Sequence, residues 1–430
     1  MSPGDVVELV IEKGVYGGLG LARIDGRVVL VRTAHAGDRI RASVTAVRRG
    51  YAEARPLERL ADAPGRRASP CRYSPPCGGC SYQDLDYAAQ LALKEGILRE
   101  SLARAGVRWD GPLPLHGSPE SGWRTRCTFH TRIEAGGVQL GLFEEGSRRI
   151  VDLEQCLQLS GRMTRALEAL RVGLAERGRW AAAVRQVRMA ESSVGPGLAV
   201  CLETEAGPAA ATPLAGLAEA IPELTGLGVV TADARGPRFA NVFGTPRVRH
   251  RIGPLELSVH VRAFFQSNRF LIEPLVAEVA RHVAPATHLL DLYAGVGLFA
   301  LALGDGHPSV RAVEADRQAT EDAEMNLRGC GLPNARFIRG DVRAALDAWP
   351  VTPPEQVVLD PPRTGLGPGV VARVARRRPV GIVYISCDPP TLGRDLRLFD
   401  REGYTLDAVA GLDMFPDTAH LEAVANLLPR

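Results

Sequence analysis

No stretch of this chain stays apolar for the roughly 18 to 20 residues that a membrane-spanning helix requires, so no segment reads as crossing a bilayer. The N-terminal run MSPGDVVELVIEKG lacks the basic stretch and apolar core of a secretory signal and alternates like a strand. Cysteine is scarce, with 8 in 430 residues. That frequency excludes a disulfide scaffold and makes the reducing cytoplasm the expected compartment. A strong charge of one sign is also missing: the formal net charge is +3, too mild to settle whether the partner is a nucleic acid. Of the 52 basic residues only Lys13 and Lys94 are lysine. Arginine suits phosphate contacts and base stacking, although a GC-rich genome produces the same bias. At 430 residues the chain exceeds one ordinary core, and two or three domains are expected.

Three regions follow from the patterning. Residues 1–58 hold short alternating runs broken by turn signals, and Asp25-Gly26 between two apolar runs is a hairpin signal. Five short strands with glycine-rich corners predict a small barrel of the OB type. The stretches GVYGGLGLARIDGRVVLV and AGDRIRASVTAVRRGYAEARPLE resemble the TRAM domain, which implies an RNA-binding barrel. Any other small barrel used as an interaction module would show the same strand pattern.

Residues 59–255 open with CRYSPPCGGCSYQDLDYAAQ, where Asp86 is a candidate N-cap for a helix. Cys71, Cys77 and Cys80 precede that helix at C-x5-C-x2-C spacing, and Cys156 lies further on in RRIVDLEQCLQL. Clustered thiols in a reducing compartment point to a metal, and four of them complete a tetrahedral shell. Zinc and a [4Fe–4S] cluster both fit. Pro76-Cys77-Gly78-Gly79-Cys80 matches half of the zinc deaminase signature, but that chemistry needs an upstream H-x-E. The sole histidine before Cys77 is His35, followed by Ala36-Gly37, so the deaminase reading fails. No C-x3-C-x2-C spacing supports radical chemistry. In GWRTRCTFHTRIEAGG, Arg124, Arg126 and Arg132 alternate with Trp123, Phe129 and His130. Such mixing suits a single-stranded RNA loop, and equally a charged sheet face. Cys127, Cys201 and Cys330 read as packing residues.

Residues 256–430 carry the chemistry. THLLDLYAGVGLFALALG reads as strand, glycine turn and helix start, with Gly295 and Gly297 letting the backbone approach a ligand. Gly295, Gly297 and Ala300 also match G-x-G-x-x-A, so a nicotinamide-binding domain has to be weighed. The order of later motifs favours S-adenosylmethionine. Asp291 at the first strand end suits an amino-acid moiety, Glu314 after VRAV suits ribose hydroxyls, and Asp341 after ARFIRG suits an adenine edge. Asp360-Pro361-Pro362 then ends a fourth strand, in the order of class I methyltransferases.

Cys387, one strand later, is a candidate nucleophile expected to need a depressed pKa. Carbon 5 of uracil is a poor nucleophile. A thiolate added at C6 makes the ring an enolate that can attack a methyl sulfonium at C5, and a base must then remove the C5 proton. Asp413, His420 and Glu422 are the candidate bases, with Glu422 favoured. His420 and Glu422, two apart, would face the same side of one strand.

The pieces CRYSPPCGGCSYQDLDYAAQ, WRTRCTF, AFFQSN, DLYAGVG, VEAD, DPPRTGL, YISCDPPTLGRDL and DMFPDTAHLE cover the chain and resemble the RNA uridine-C5 methyltransferase family. They are similar above all to its cluster-containing bacterial branch acting on 23S ribosomal RNA. The resemblance implies a multidomain α/β chain: an OB-like TRAM barrel, a central α+β RNA-binding domain with a metal cluster, and a C-terminal Rossmann-like catalytic domain. It implies a [4Fe–4S] cluster on Cys71, Cys77, Cys80 and Cys156, with zinc as the alternative. S-adenosylmethionine would meet Gln266, Tyr293, Glu314, Asp341 and Asp360, while Cys387 would be nucleophile and Glu422 base. A cytoplasmic monomer acting on 23S ribosomal RNA is expected. The same chemistry on the T-loop uridine of transfer RNA, or an RNA-binding protein without catalysis, are the alternatives. Asp388 stands where the family more often has asparagine, which would alter contacts to the uracil edge. Leu298 replaces a polar or small residue, and no cofactor contact is carried onto it.

Overall fold

In the computed structural model, which describes residues 1–134, 137–207, 209, 211–221, 223–233, 236–285 and 287–430, three large sheets follow one another along the chain. The first has six strands rather than five and runs to Ala61. Alternating burial in Arg39–Val47 turns Ile40, Ala42 and Val44 inward, against Leu9, Val29 and Val31. Asp25 and Gly26 take positive φ values of 49° and 78° between the paired strands Leu19–Ile24 and Arg27–Arg32, so the expected hairpin turn forms.

The central sheet has seven strands, from Ile150–Asp152 through Arg126–Glu134 to Gly236–Gly244. Ala135-Gly136, within the sequence run that forms its first two neighbouring strands, lie outside the described residues. Helix Gly161–Ala175, capped by Ser160 Oγ accepting from Met163 N–H at 3.1 Å, lays Leu167 and Leu170 against Phe129, Leu140 and Val187. Asp86 caps helix Tyr87–Arg104 as the sequence predicts, accepting from Ala89 N at 2.8 Å.

The third sheet has eight strands. Five are parallel, in the spatial order Ala335–Arg339, Val310–Glu314, His288–Leu292, Glu355–Leu359, Gly381–Ser386. Glu422–Pro429 joins antiparallel, followed by Tyr404–Leu412. The inner strands EQVVL and GIVYIS are buried throughout, as parallel strands covered on both faces must be. The order reverses between His288–Leu292 and Glu355–Leu359, which opens a crevice at their carboxyl ends. Residues early in the chain complete this part: Leu115–His116 pairs with Gly411 and Leu412, and Leu98 and Leu102 pack with Leu392, Leu396 and Phe399. The helix after the three clustered cysteines therefore belongs physically to the C-terminal core.

Candidate active site

Gly381–Ser386 ends immediately before Cys387, and helix Pro389–Arg401 starts immediately after Asp388. Two prolines at the helix start supply the φ it needs and lack N–H groups that would go unpaired there. Asp388 Oδ1 accepts from Thr391 N at 2.9 Å and Oδ2 from the Tyr16 hydroxyl at 2.7 Å. Each oxygen of Asp388 thus has a partner within the protein.

Glu422 begins the strand antiparallel to Gly381–Ser386, the strand that leads into Cys387. Ser386, the residue before Cys387, pairs with Ala423, the residue after Glu422, and the two groups are near enough that Glu422 acts on the Cys387 thiol. Glu422 is buried, and its acid is pushed well above the usual range, first by burial and then by Asp360, with Arg363 opposing. Asp360 is itself raised to about 7 by burial, Asp291 and Glu314. The expectation of a depressed thiol pKa is corrected: burial pushes Cys387 up to about 11, Glu422 and Asp360 add to this, and Arg363 pulls it down. Two neighbouring carboxyl groups outweigh one guanidinium in a site withdrawn from water.

Arg363 is the residue sequence reasoning passed over, although it directly follows Asp360-Pro361-Pro362. It donates to the His420 ring at 3.1 Å. His420 does not share a strand with Glu422, because the strand begins at Glu422 and His420 lies in the preceding loop. Burial and the nearby cations Arg363, Lys94 and Arg124 lower the His420 pKa to about 4. Asp413 is occupied elsewhere: fully buried, it pairs with buried Lys94 at 2.5 Å.

Asp291, Glu314 and Asp360 come together at the strand ends beside the crevice. Asp291 is fully buried, with Oδ2 accepting from Ala300 N at 2.8 Å and Oδ1 unpartnered. Its acid is raised to about 7 by burial and by Glu314. Glu314 accepts from Gly295 N at 2.9 Å and from Asp316 N at 2.7 Å. Tyr293, Gly295 and Gly297 all have positive φ, which bends the chain sharply between Leu292 and the helix Leu298–Leu303. Asp341 caps the helix Val342–Ala348 by accepting from Arg343 N and Ala344 N, and Gln266 is buried. Asp291, Glu314 and Asp360 reinforce one another's negative potential, and a group carrying an ammonium and a sulfonium charge relieves it.

Cys71, Cys77, Cys80 and Cys156 line one small cavity. All are free thiols, and Gln158 and Gln83 donate amide N–H groups to Cys80 Sγ at 2.9 and 3.4 Å. Burial raises the pKa of Cys77, Cys80 and Cys156, and each is raised further by neighbouring thiols. A cation that replaces the protons removes both penalties, so the donor set fits a soft metal or a cluster. As placed, no group of three or more His, Cys, Asp or Glu among the described residues forms a metal-holding site.

A cleft of about 610 Å³ runs from Gly78-Gly79 and Cys156 to Arg363 and His420. Arg124, Arg188 and Arg262 line it, and Phe264 is 71% exposed beside them. The alternating basic and aromatic run is only partly available to a ligand. Trp123 and Phe129 are wholly buried, and Arg126 donates to the carbonyls of His260, Val261 and Ala263. The sequence run mixes aromatic and basic residues, but Trp123 and Phe129 face the core, and His130 stacks on Phe143.

Comparison with known proteins decides the chemistry. Residues 2–57 match the TRAM domain, and residues 345–429 match the tRNA (Uracil-5-)-methyltransferase family. The 23S rRNA (uracil(1939)-C(5))-methyltransferase RlmD of Pseudomonas entomophila is 35% identical, over 98% of this chain and 93% of its own. The chain belongs to the RNA uracil-C5 methyltransferase family. An uncharacterized RNA methyltransferase of Synechocystis is 32% identical over 99% of this chain and 96% of its own. The tRNA (uracil-54, C5)-methyltransferase of Pyrococcus abyssi, solved with S-adenosyl-L-homocysteine, superposes with a TM-score of 0.79. It is 26% identical, over 98% of this chain and 99% of that one. This methyltransferase uses S-adenosylmethionine to methylate uracil in RNA at C5, and no helix among its described residues is long and apolar enough to cross a membrane.

Proposed function

We propose that this methyltransferase forms 5-methyluridine in 23S ribosomal RNA, with Cys387 as nucleophile and Glu422 as base. The observation that carries the reading is the gathering of Cys387 and Glu422 at one end of paired strands, with Asp360 and Arg363 as their charged neighbours. The thiolate adds to C6, forming a C–S bond and moving the ring electrons into an enolate. C5 then takes the methyl group from S-adenosylmethionine, consumed as a substrate, and S-adenosylhomocysteine leaves. Glu422 removes the C5 proton, and the released electron pair restores the C5–C6 bond as the thiolate departs. A raised Glu422 acid means a more basic carboxylate for that last step.

Gln266, Tyr293, Glu314, Asp341 and Asp360 hold S-adenosylmethionine in this reading. The unpartnered Asp291 oxygen and the negative potential around Asp360 favour its two cationic centres. The target uridine leaves its stack to reach Cys387. The flanking strand follows the arginine-lined cleft, where Phe264 offers an open ring for stacking. The four cysteines hold a [4Fe–4S] cluster, with zinc as the alternative. It acts structurally, pinning the central domain near helix Tyr87–Arg104 without redox turnover. The methyltransferase works in the cytoplasm as a monomer.

The similarity to RlmD favours ribosomal RNA. The full-length superposition on a transfer RNA enzyme supports a second reading, in which the same steps act on a T-loop uridine. Trapping tests the common mechanism. RNA containing 5-fluorouridine carries fluorine where the proton must leave, so a methylated adduct accumulates. A tryptic peptide bearing that adduct at Cys387 is the expected result, and an adduct at any other residue contradicts the assignment.

A further inference from the structure

The N-terminal barrel touches the segments on either side of the site's two reacting groups, and it does so with one turn. Tyr16 donates to Asp388 Oδ2 at 2.7 Å across 372 positions of sequence. Two residues on, Gly18 has φ +81°, and a Cβ there would lie 3.1 Å from Ser81 and 3.3 Å from Ala419. Residues 16–18 thus meet the loop that follows Cys387, the segment leading to Glu422, and the residue next to Cys80. The strand before the turn, Lys13–Val15, is held from behind. Lys13 pairs with Glu100 at 2.7 Å, and Gly14 lies so close to Leu93 that a Cβ would come within 2.4 Å. A barrel serving only as an RNA anchor needs a tether and a basic surface, not a half-buried hydroxyl on the nucleophile's neighbour.

We propose that Tyr16 is a positioning residue: its hydrogen bond to Asp388 fixes the Cys387–Asp388 backbone and so the direction in which the thiolate meets the uracil. Asp388 makes the coupling geometrically strict. One of its oxygens is committed to Thr391 N at the start of helix Pro389–Arg401, so the other must take the Tyr16 hydroxyl without turning the cap. Removing the hydroxyl leaves a half-buried carboxylate oxygen unpaired one residue from the thiol, and the loop relaxes towards water. The inference rests on Cys387 being the nucleophile.

The test is Tyr16→Phe in the full chain, which keeps the ring and its packing. Single-turnover formation of the Cys387 adduct with 5-fluorouridine RNA is followed at saturating RNA, alongside RNA affinity. The expected result is a fall of about tenfold to a hundredfold in the rate, with affinity unchanged. Asp388→Ala is expected to slow the reaction as well, and Tyr16→Phe to add little on top of it. An unchanged rate, or a loss confined to RNA affinity, overturns the proposal and leaves the barrel as an anchor. If wild type forms no adduct, the nucleophile assignment is what fails. Alkylation of Cys387 by iodoacetamide then decides separately: a rate changed by Tyr16→Phe supports the positioning contact, and an equal rate overturns it.

Discussion

Cys387 and Glu422 directly flank the last paired residues, Ser386 and Ala423, of two antiparallel strands, and Glu422 acts on the Cys387 thiol by its charge. Thirty-five residues separate them in the chain, yet the sheet register alone brings thiol and carboxyl to the same end. A one-residue slip would exchange Ile385 and Val424, packed in one core, with Tyr384, Ala423 and Ala425, packed in the core on the other face.

This relationship predicts opposite consequences for two substitutions. Glu422→Gln removes the base but leaves the thiol, so turnover falls by about 10²- to 10⁴-fold while a methylated Cys387 adduct accumulates on ordinary RNA. Cys387→Ala gives neither turnover nor adduct. Intact-protein mass spectrometry after mixing with RNA and S-adenosylmethionine distinguishes them.

The pKa of Cys387 gives a pH dependence. With the thiol at about 11, the thiolate fraction without RNA rises about tenfold per pH unit between pH 7 and 9, and iodoacetamide labelling of Cys387 follows it. Arg363 pulls that pKa down, so Arg363→Met slows labelling at fixed pH. A labelling rate that is flat above pH 8 contradicts the assignment of burial as the dominant influence.

Much of this architecture was legible locally. Asp86 as a helix cap, Asp25-Gly26 as a turn and Glu314 as a strand end depend on neighbours in sequence and lie where their patterns place them, while Asp360 and Cys387, read as strand ends, each lie one residue beyond. What was not legible depends on burial and on partners far along the chain. The raised Cys387 pKa requires Glu422 and Asp360 to be known as neighbours. Trp123 and Phe129 looked available to RNA because alternation does not say which face of a sheet is covered. The Tyr16–Asp388 and Lys94–Asp413 contacts join residues more than 300 positions apart, and no spacing rule reaches that far.

Lys94–Asp413 carries a stability prediction. Both side chains are almost completely buried, so Lys94→Met strands a carboxylate and is expected to cost about 3–5 kcal/mol. Pairing it with Asp413→Leu should recover a large part of the loss. Urea unfolding of the two variants measures both numbers, and equal stability of Lys94→Met and wild type would contradict the buried pair.

The cysteine cavity gives a prediction that does not depend on methyl transfer. Cys77→Ala removes one of the four thiols around it and is expected to lose iron and thermal stability together. Iron content and unfolding temperature of anaerobically purified protein provide the check. An iron-free variant that is as stable and active as wild type contradicts a structural cluster.

The central claim is tested most directly by supplying methyl-labelled S-adenosylmethionine with separate pools of unmodified 23S ribosomal RNA and transfer RNA, then identifying the labelled nucleoside by mass spectrometry. The account predicts 5-methyluridine in the ribosomal pool. Label in transfer RNA alone would contradict the substrate while keeping the chemistry, and no labelled 5-methyluridine in either pool, from folded protein that binds the cofactor, would contradict the account itself.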